Sequence, residues 1–326
     1  MISSSNPQFW RKQAQLPFLQ RIAAAPAEVI DYVKQVNARE SGSAIEPALN
    51  PALTPSINQT DHVSSLNSAL LTDIRSAIAE LPEQVKAKLE PKLLGVFLAT
   101  GVGSSAITDV ISDTDGNMLG AIVLLDSDAF LSRTANSWMA WKESSPFNTS
   151  AEYTLLANIA EPEQDQRKQA LQYLLLHEFG HVLSMNTTYL PNWWIGSQKF
   201  KDTEEYSFLS ICWQIAMSGE IIPLIRHNFE HRSGITYYGQ AQLNASQMLA
   251  IYQALSGTGF STLYAATTVY EDFAESFATY VHVVLMGKPW CIQICYREQT
   301  IFSFSDYWAS PRSQQKAKIF EQLFCS

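Results

Sequence analysis

The 326-residue sequence predicts an α+β fold, predominantly helical with a small mixed β-sheet, and three observations carry that reading. Apolar residues recur every three or four positions over 61–81 and again over 171–183, the period of a helix that buries one stripe. Two short runs rich in Val, Ile and Leu, 93–99 and 118–125, are bounded by Gly and Asp and have the length of strands. Hydrophobic residues make up 46% of the chain and charged residues only 16%, so a sizeable core is available and wholesale disorder is excluded.

Taken in order, a first helix is expected over Ala27–Arg39, with Val29, Val33 and Val36 on one stripe. Residues 43–60 carry Pro47, Pro51 and Pro55 and read as an extended linker or wrapping arm, because proline breaks a helix interior. A strong helix follows from Asp61, with Leu66, Leu70, Ile74 and Ile78 spaced by four and a stop at Pro82. The texture changes near Pro91, where the strand-like runs begin. Between them, Asp113-Thr-Asp-Gly-Asn117 begins like a calcium loop, but Met118 and Leu124 stand where such a loop needs Gly and Glu. A hairpin turn with Gly116 in a left-handed conformation is the better reading. The chain therefore divides into a helical region, 1–91, and a larger domain, 92–326.

Charge and cysteine content exclude several classes. Twenty-two Lys+Arg stand against 31 Asp+Glu, a net charge of -9, so the basic excess expected of a nucleic-acid binder is missing. No run approaches the ~18 apolar residues of a membrane span. Residues 1–25 lack a secretory profile, Pro17, Gln20 and Arg21 interrupting the one apolar stretch. A soluble intracellular protein is the default expectation, and a secreted mature form fits the same residues. Cys212, Cys291, Cys295 and Cys325 are too sparse for a disulfide scaffold, and buried thiols, a disulfide or a metal site at Cys291/Cys295 all stay open.

The sharpest chemical signal is His177-Glu178-Phe-Gly-His181 inside an apolar, proline-free stretch. Histidines four apart on a helix project from one face with β-carbons about 6 Å apart, so both imidazoles can reach one zinc ion. Glu178 stands where a general base lies beside the metal without ligating it. Gly180 costs a helix interior about 1 kcal/mol, which anticipates close approach of another element there. A rival, His227-Asn-Phe-Glu-His231, has the inverted spacing, but Pro223, two flanking arginines and Gly234 leave room for a short helix at most. A polar loop is the preferred reading of that pair.

A catalytic zinc needs a third protein ligand and an open position. In Tyr270-Glu271-Asp-Phe-Ala-Glu275-Ser-Phe277, Phe273 and Phe277 mark the buried side of a helix, and Glu271 and Glu275 share another face. One carboxylate can ligate the metal while the other accepts the free N–H of a ligating imidazole.

His-Glu-Phe-Gly-His at 177–181 together with Glu-Asp-Phe-Ala-Glu-Ser-Phe at 271–277 resembles the gluzincin metallopeptidases, most closely the catalytic domain of anthrax lethal factor. The resemblance implies Glu271 as third ligand, Glu275 as support for a ligand histidine, and Tyr264, seven residues before the third ligand, as a transition-state donor, with Tyr270 as a substitute. It further implies a zincin-like fold over 92–326 in which a small sheet lies beside the active-site helix, and Gly120–Leu125 is the expected substrate-pairing edge. Residues 186–263 make the interval between the motifs longer than in that family, as a helical insertion that includes Trp193-Trp194. The expected activity is zinc-dependent cleavage of a protein or peptide substrate, with Glu178 as general base. The competing expectation is a zinc-bearing binding or regulatory module without turnover.

Overall fold

The computed structural model describes residues 1–32, 60–130, 133–195, 199–200, 203, 205–237 and 239–325. The proline-rich arm, 43–60, lies outside them except for its last residue, as does the second half of the first expected helix, of which 27–32 is helical. Helix exceeds strand by 46% to 19%, in keeping with a predominantly helical mixed protein. Among the described residues no helix is long and apolar enough to cross a membrane.

The chain forms two compact units, Met1–Arg133 with Tyr238–Gln240, and Thr134–Tyr237 with Ala241–Ser326. The first is built on a five-stranded mixed sheet in the order β1-β4-β5-β3-β2, from β1 (Ile2–Ser3), β2 (Ile22–Ala24), β3 (Leu93–Ala99), β4 (Ala106–Ser112) and β5 (Met118–Asp126). Strands β4 and β5 form the expected hairpin, and Gly116 turns it at φ 84° while the Asp113 carboxylate accepts from the Asn117 and Asp115 amides. Helix α1 (Pro7–Gln13) puts Trp10 against Phe97, Ile122 and Leu124 of the sheet. Helix α2 (Thr60–Ala79) buries Leu70, Ile74 and Ile78 on the four-residue stripe, and α3 (Glu83–Leu89) follows Pro82.

Two expectations are corrected here. The strands that were to open the second domain pair instead with residues 2–3 and 22–24, so the compact units divide after Arg133 and not at 91/92. Residues 120–125 lie in β5, flanked by β4 and β3, so they are the middle of a sheet and not an edge open to substrate.

The second unit begins with α4 (Ala135–Ser144), capped by Thr134 and Ser137. Asp165, two residues before α5 (Arg167–Ser184), accepts from the Asn136 amide at 2.8 Å and from the Thr134 hydroxyl at 3.0 Å, which ties the starts of α4 and α5 together. A three-stranded antiparallel sheet in the order β10-β9-β6 belongs to this unit, formed by β6 (Tyr153–Asn158), β9 (Cys291–Tyr296) and β10 (Gln299–Phe304). The mixed sheet expected beside the motif helix is thus in the other unit, and the motif unit carries this antiparallel sheet and the hairpin β7 (Trp213–Ile215)–β8 (Ile221–Pro223). Helix α6 (Met248–Leu255) precedes α7 (Val269–Thr279), which runs on into a π-helical turn, Tyr280–Leu285. Helix α8 (Gln314–Cys325) closes the aromatic core, where Phe320 meets Phe208, Phe273, Phe277 and Tyr280.

All four cysteines are free thiols. Cys291 and Cys295 lie four apart on β9, an extended strand that keeps them from pairing with each other.

Candidate metal centre

Helix α5 is buried on nearly every side, from Gln169 through Ser184 with His181 half-buried, so it is a core helix and not a surface one. Helix α7 packs against it at Gly180. A β-carbon on residue 180 would stand 2.7 Å from Ala274 Cα, so only glycine lets the two backbones come this close. The close approach anticipated from Gly180 is there, and the partner is the helix that carries Glu271 and Glu275.

The start of α7 fixes Glu271. Thr268 caps the helix, its hydroxyl accepting from the Glu271 amide at 3.2 Å, which places Glu271 in the first turn and Glu275 one turn on. Glu271 Oε2 then lies 3.1 Å from His177 Nε2 and 3.5 Å from His181 Nε2, and the two Nε2 atoms are 3.2 Å apart. These are the only His, Cys, Asp or Glu side chains among the described residues that converge as three ligand atoms. Ligand atoms bound tetrahedrally at about 2.0–2.1 Å are separated by roughly 3.3 Å, so the three atoms are spaced as a group that could hold a metal ion. Oε2 is buried and receives no well-aligned hydrogen bond, an arrangement that is costly for a carboxylate and that a cation relieves.

Glu275, fully buried, accepts from His177 Nδ1 at 2.8 Å. That bond places a proton on Nδ1 and turns Nε2 toward Glu271 and His181. Burial alone lowers the pKa of His177, but Glu271 and Glu275 outweigh it and hold the imidazole up to about 10. Burial likewise raises both carboxylates, yet His181 and His177 pull Glu271 well below the usual range, and Lys142 with His177 does the same for Glu275. In the metal-free centre His177 therefore lies between two carboxylates, hydrogen-bonded to Glu275 through Nδ1 and ion-paired with Glu271 through Nε2.

Glu178 is buried beside His177 on α5. Tyr264, in a 3₁₀ turn (Tyr264–Ala266), stacks its ring on that of His177 with centroids 5.5 Å apart and planes 18° apart. Tyr270 is half-buried, and burial with nearby Tyr206 pushes its hydroxyl up to about 12. It is Tyr264, not this substitute, that meets the ring of His177.

Sequence reasoning missed Lys142 and Tyr173, which also reach Glu275, at 2.8 Å and 3.5 Å. Neither carries a motif, and Lys142 is 133 residues from its partner. The rival histidines are not brought together as ligands. His227 and His231 lie in and before separate 3₁₀ turns, His231 at φ 67°. His227 Nδ1 faces the Gly259 amide at 3.2 Å, and burial together with Arg226 and Lys316 pushes it down to about 4. Trp193 and Trp194, in the long interval between the motifs, are half-buried and pack edge to face.

No protein-family model, curated protein or solved structure matches this chain.

Proposed function

We propose that the chain is a zinc-dependent endopeptidase of the zincin type, with one zinc held by His177, His181 and Glu271. The observation that carries this reading is the convergence of those three atoms within 3.1–3.5 Å, two of them from the helix that carries Glu178 beside His177 and the third from α7. A two-histidine, one-glutamate donor set is that of catalytic sites with an open position, whereas structural zinc is usually enclosed by four side chains rich in cysteine. When bound, zinc supplies a Lewis acid and lowers the pKa of a coordinated water to about 7.

The residues divide the remaining work. Glu178 accepts a proton from the attacking water and returns it to the leaving amine. The Tyr264 hydroxyl donates to the oxygen on which negative charge develops as the carbonyl is attacked. Glu275 holds the His177 tautomer with Nε2 free to ligate. The substrate is a polypeptide segment that enters extended, since an amide in a helix or sheet is not open to attack.

The test is to incubate zinc-loaded protein with unstructured proteins, with and without a chelator. Cleavage that the chelator stops is expected, and Glu178→Gln should keep zinc at wild-type stoichiometry while losing hydrolysis by at least about 10²-fold. Unchanged turnover in that variant sinks the mechanism. Full zinc occupancy with no cleavage of any substrate favours the non-catalytic module instead.

A further inference from the structure

Behind the ligand histidines lies a buried charge cluster that the proposed mechanism does not use. Lys142, on α4, is 11% exposed at its side chain, and its Nζ lies 2.8 Å from Glu275 Oε1 and 3.3 Å from Glu143 Oε1. The same oxygen, Glu275 Oε1, also accepts from His177 Nδ1 at 2.8 Å. A single carboxylate oxygen thus joins the ammonium of one helix to the ligand imidazole of another. The other oxygen, Oε2, has a weaker hold, the Tyr173 hydroxyl at 3.5 Å.

The ammonium has a second neighbour. It sits 4.8 Å from the ring centroid of Tyr264 and 5.8 Å from that of Tyr237. A cation over an aromatic face at this range is attracted by the ring quadrupole, more strongly where water is excluded. Tyr264 in turn stacks on His177. The imidazole is therefore fixed on its Nδ1 edge by Glu275 and on one face by Tyr264, and both of those groups lean on Lys142. Glu143, fully buried, completes the cradle, since it takes the ammonium on Oε1 and the Tyr252 hydroxyl on Oε2 at 2.8 Å.

We propose that Lys142 is a positioning residue of the metal centre, the common anchor that orients Glu275 and Tyr264 and through them holds His177 in its ligating pose. The proposal rests on the metal-site reading above. Without the ammonium, the Glu275 carboxylate keeps only the imidazole it is meant to orient and the long contact to Tyr173, and Tyr264 loses the charge beneath its ring. Groups that orient a ligand histidine typically set metal affinity by about 10–100-fold.

Zinc affinity, measured by competition with a chromophoric chelator at pH 7, provides the test and does not depend on turnover. Lys142→Met should weaken zinc binding at least about tenfold, and Lys142→Arg, which keeps the charge, should recover most of the loss. If Lys142 acts through Glu275, Lys142→Met adds less than about twofold in the Glu275→Gln background, whereas a general loss of structure adds in full. The cobalt-substituted protein gives a second readout, because a shifted visible spectrum in Lys142→Met reports an altered ligand geometry. Wild-type affinity and spectrum in Lys142→Met overturn the proposal and leave the metal site standing. Failure of the wild-type protein to bind zinc overturns the metal-site reading and the proposal with it.

Discussion

His177 is where the chemistry of the sequence and the physics of the fold meet. Its spacing from His181 is a local fact, readable from five residues, and the structure places both Nε2 atoms 3.2 Å apart, which one helix face allows. Glu271 was readable as well, but with an ambiguity. Glu271 and Glu275 share one helix face, so spacing alone leaves open which of them turns to the metal and which to an imidazole N–H. Thr268 caps α7, and it is Glu271 Oε2 that faces the histidines. Lys142 was not readable, because a lone lysine on a helix has no signature until a distant carboxylate arrives. The two histidine pairs separate by substitution. His181→Ala should lower zinc content from one ion to near zero, while His231→Ala, whose imidazole is 39% exposed and engaged with Gln247, should leave it at one. Metal analysis after dialysis checks both, and the reverse pattern moves the site to the rival pair.

At the scale of elements, the decisive contact is α5 against α7. Gly180→Ala places a methyl group against Ala274 backbone, where no side chain can yield, so the helices must part or the backbone must shift. A loss of about 1–3 kcal/mol of stability is expected from overpacking, with weaker zinc binding as Glu271 withdraws. Chemical denaturation and a zinc titration check it, and a fully stable, fully loaded variant shows that the helices are free to adjust. Helix α7 has a second anchor. Lys316 of α8 pairs with Asp272, both fully buried, and Trp213 Nε1 donates to the same carboxylate at 2.9 Å. Removing one partner leaves an uncompensated buried charge, so Lys316→Met should cost about 3–5 kcal/mol by denaturant titration. A loss below 1 kcal/mol refutes that account. The expected strands formed, but their partners were not legible, because β1 and β2 are two and three residues long and carry no period. That is why the division of the chain was placed at 91/92.

For the molecule as a whole, the metal-free centre links stability to pH. His177 is held up to about 10 from 6.5, so it binds its proton more tightly when folded. Its contribution is complete below about pH 6.5 and disappears as the pH rises toward 10. Glu271 is held below its ordinary 4.5, and its contribution is complete above that value and disappears on acidification. The two shifts share the His177–Glu271 pair, with Glu275 adding to the first and His181 to the second, so this site stabilises the metal-free protein most between about pH 4.5 and 6.5. Melting temperatures across that range and beyond, for wild type and Glu271→Gln, should diverge within the window and converge at its flanks. Parallel curves reject the linkage. Composition, read together with the apolar periodicity, foresaw a core and a predominance of helix. It could not assign strands 93–126 to the amino-terminal unit, since that depends on pairing between residues far apart in sequence.

The pairing of Lys316 with Asp272 also sets an order of events in time. Asp272 and its counter-ion are 44 residues apart, and a ribosome adding about 5–20 residues per second needs roughly 2–9 s to bridge them. During that interval the helix bearing Glu271 has been made while the ammonium that neutralises its buried neighbour has not. The group formed by His177 and His181 on α5 and Glu271 on α7 is therefore braced from this side only once α8 has been made.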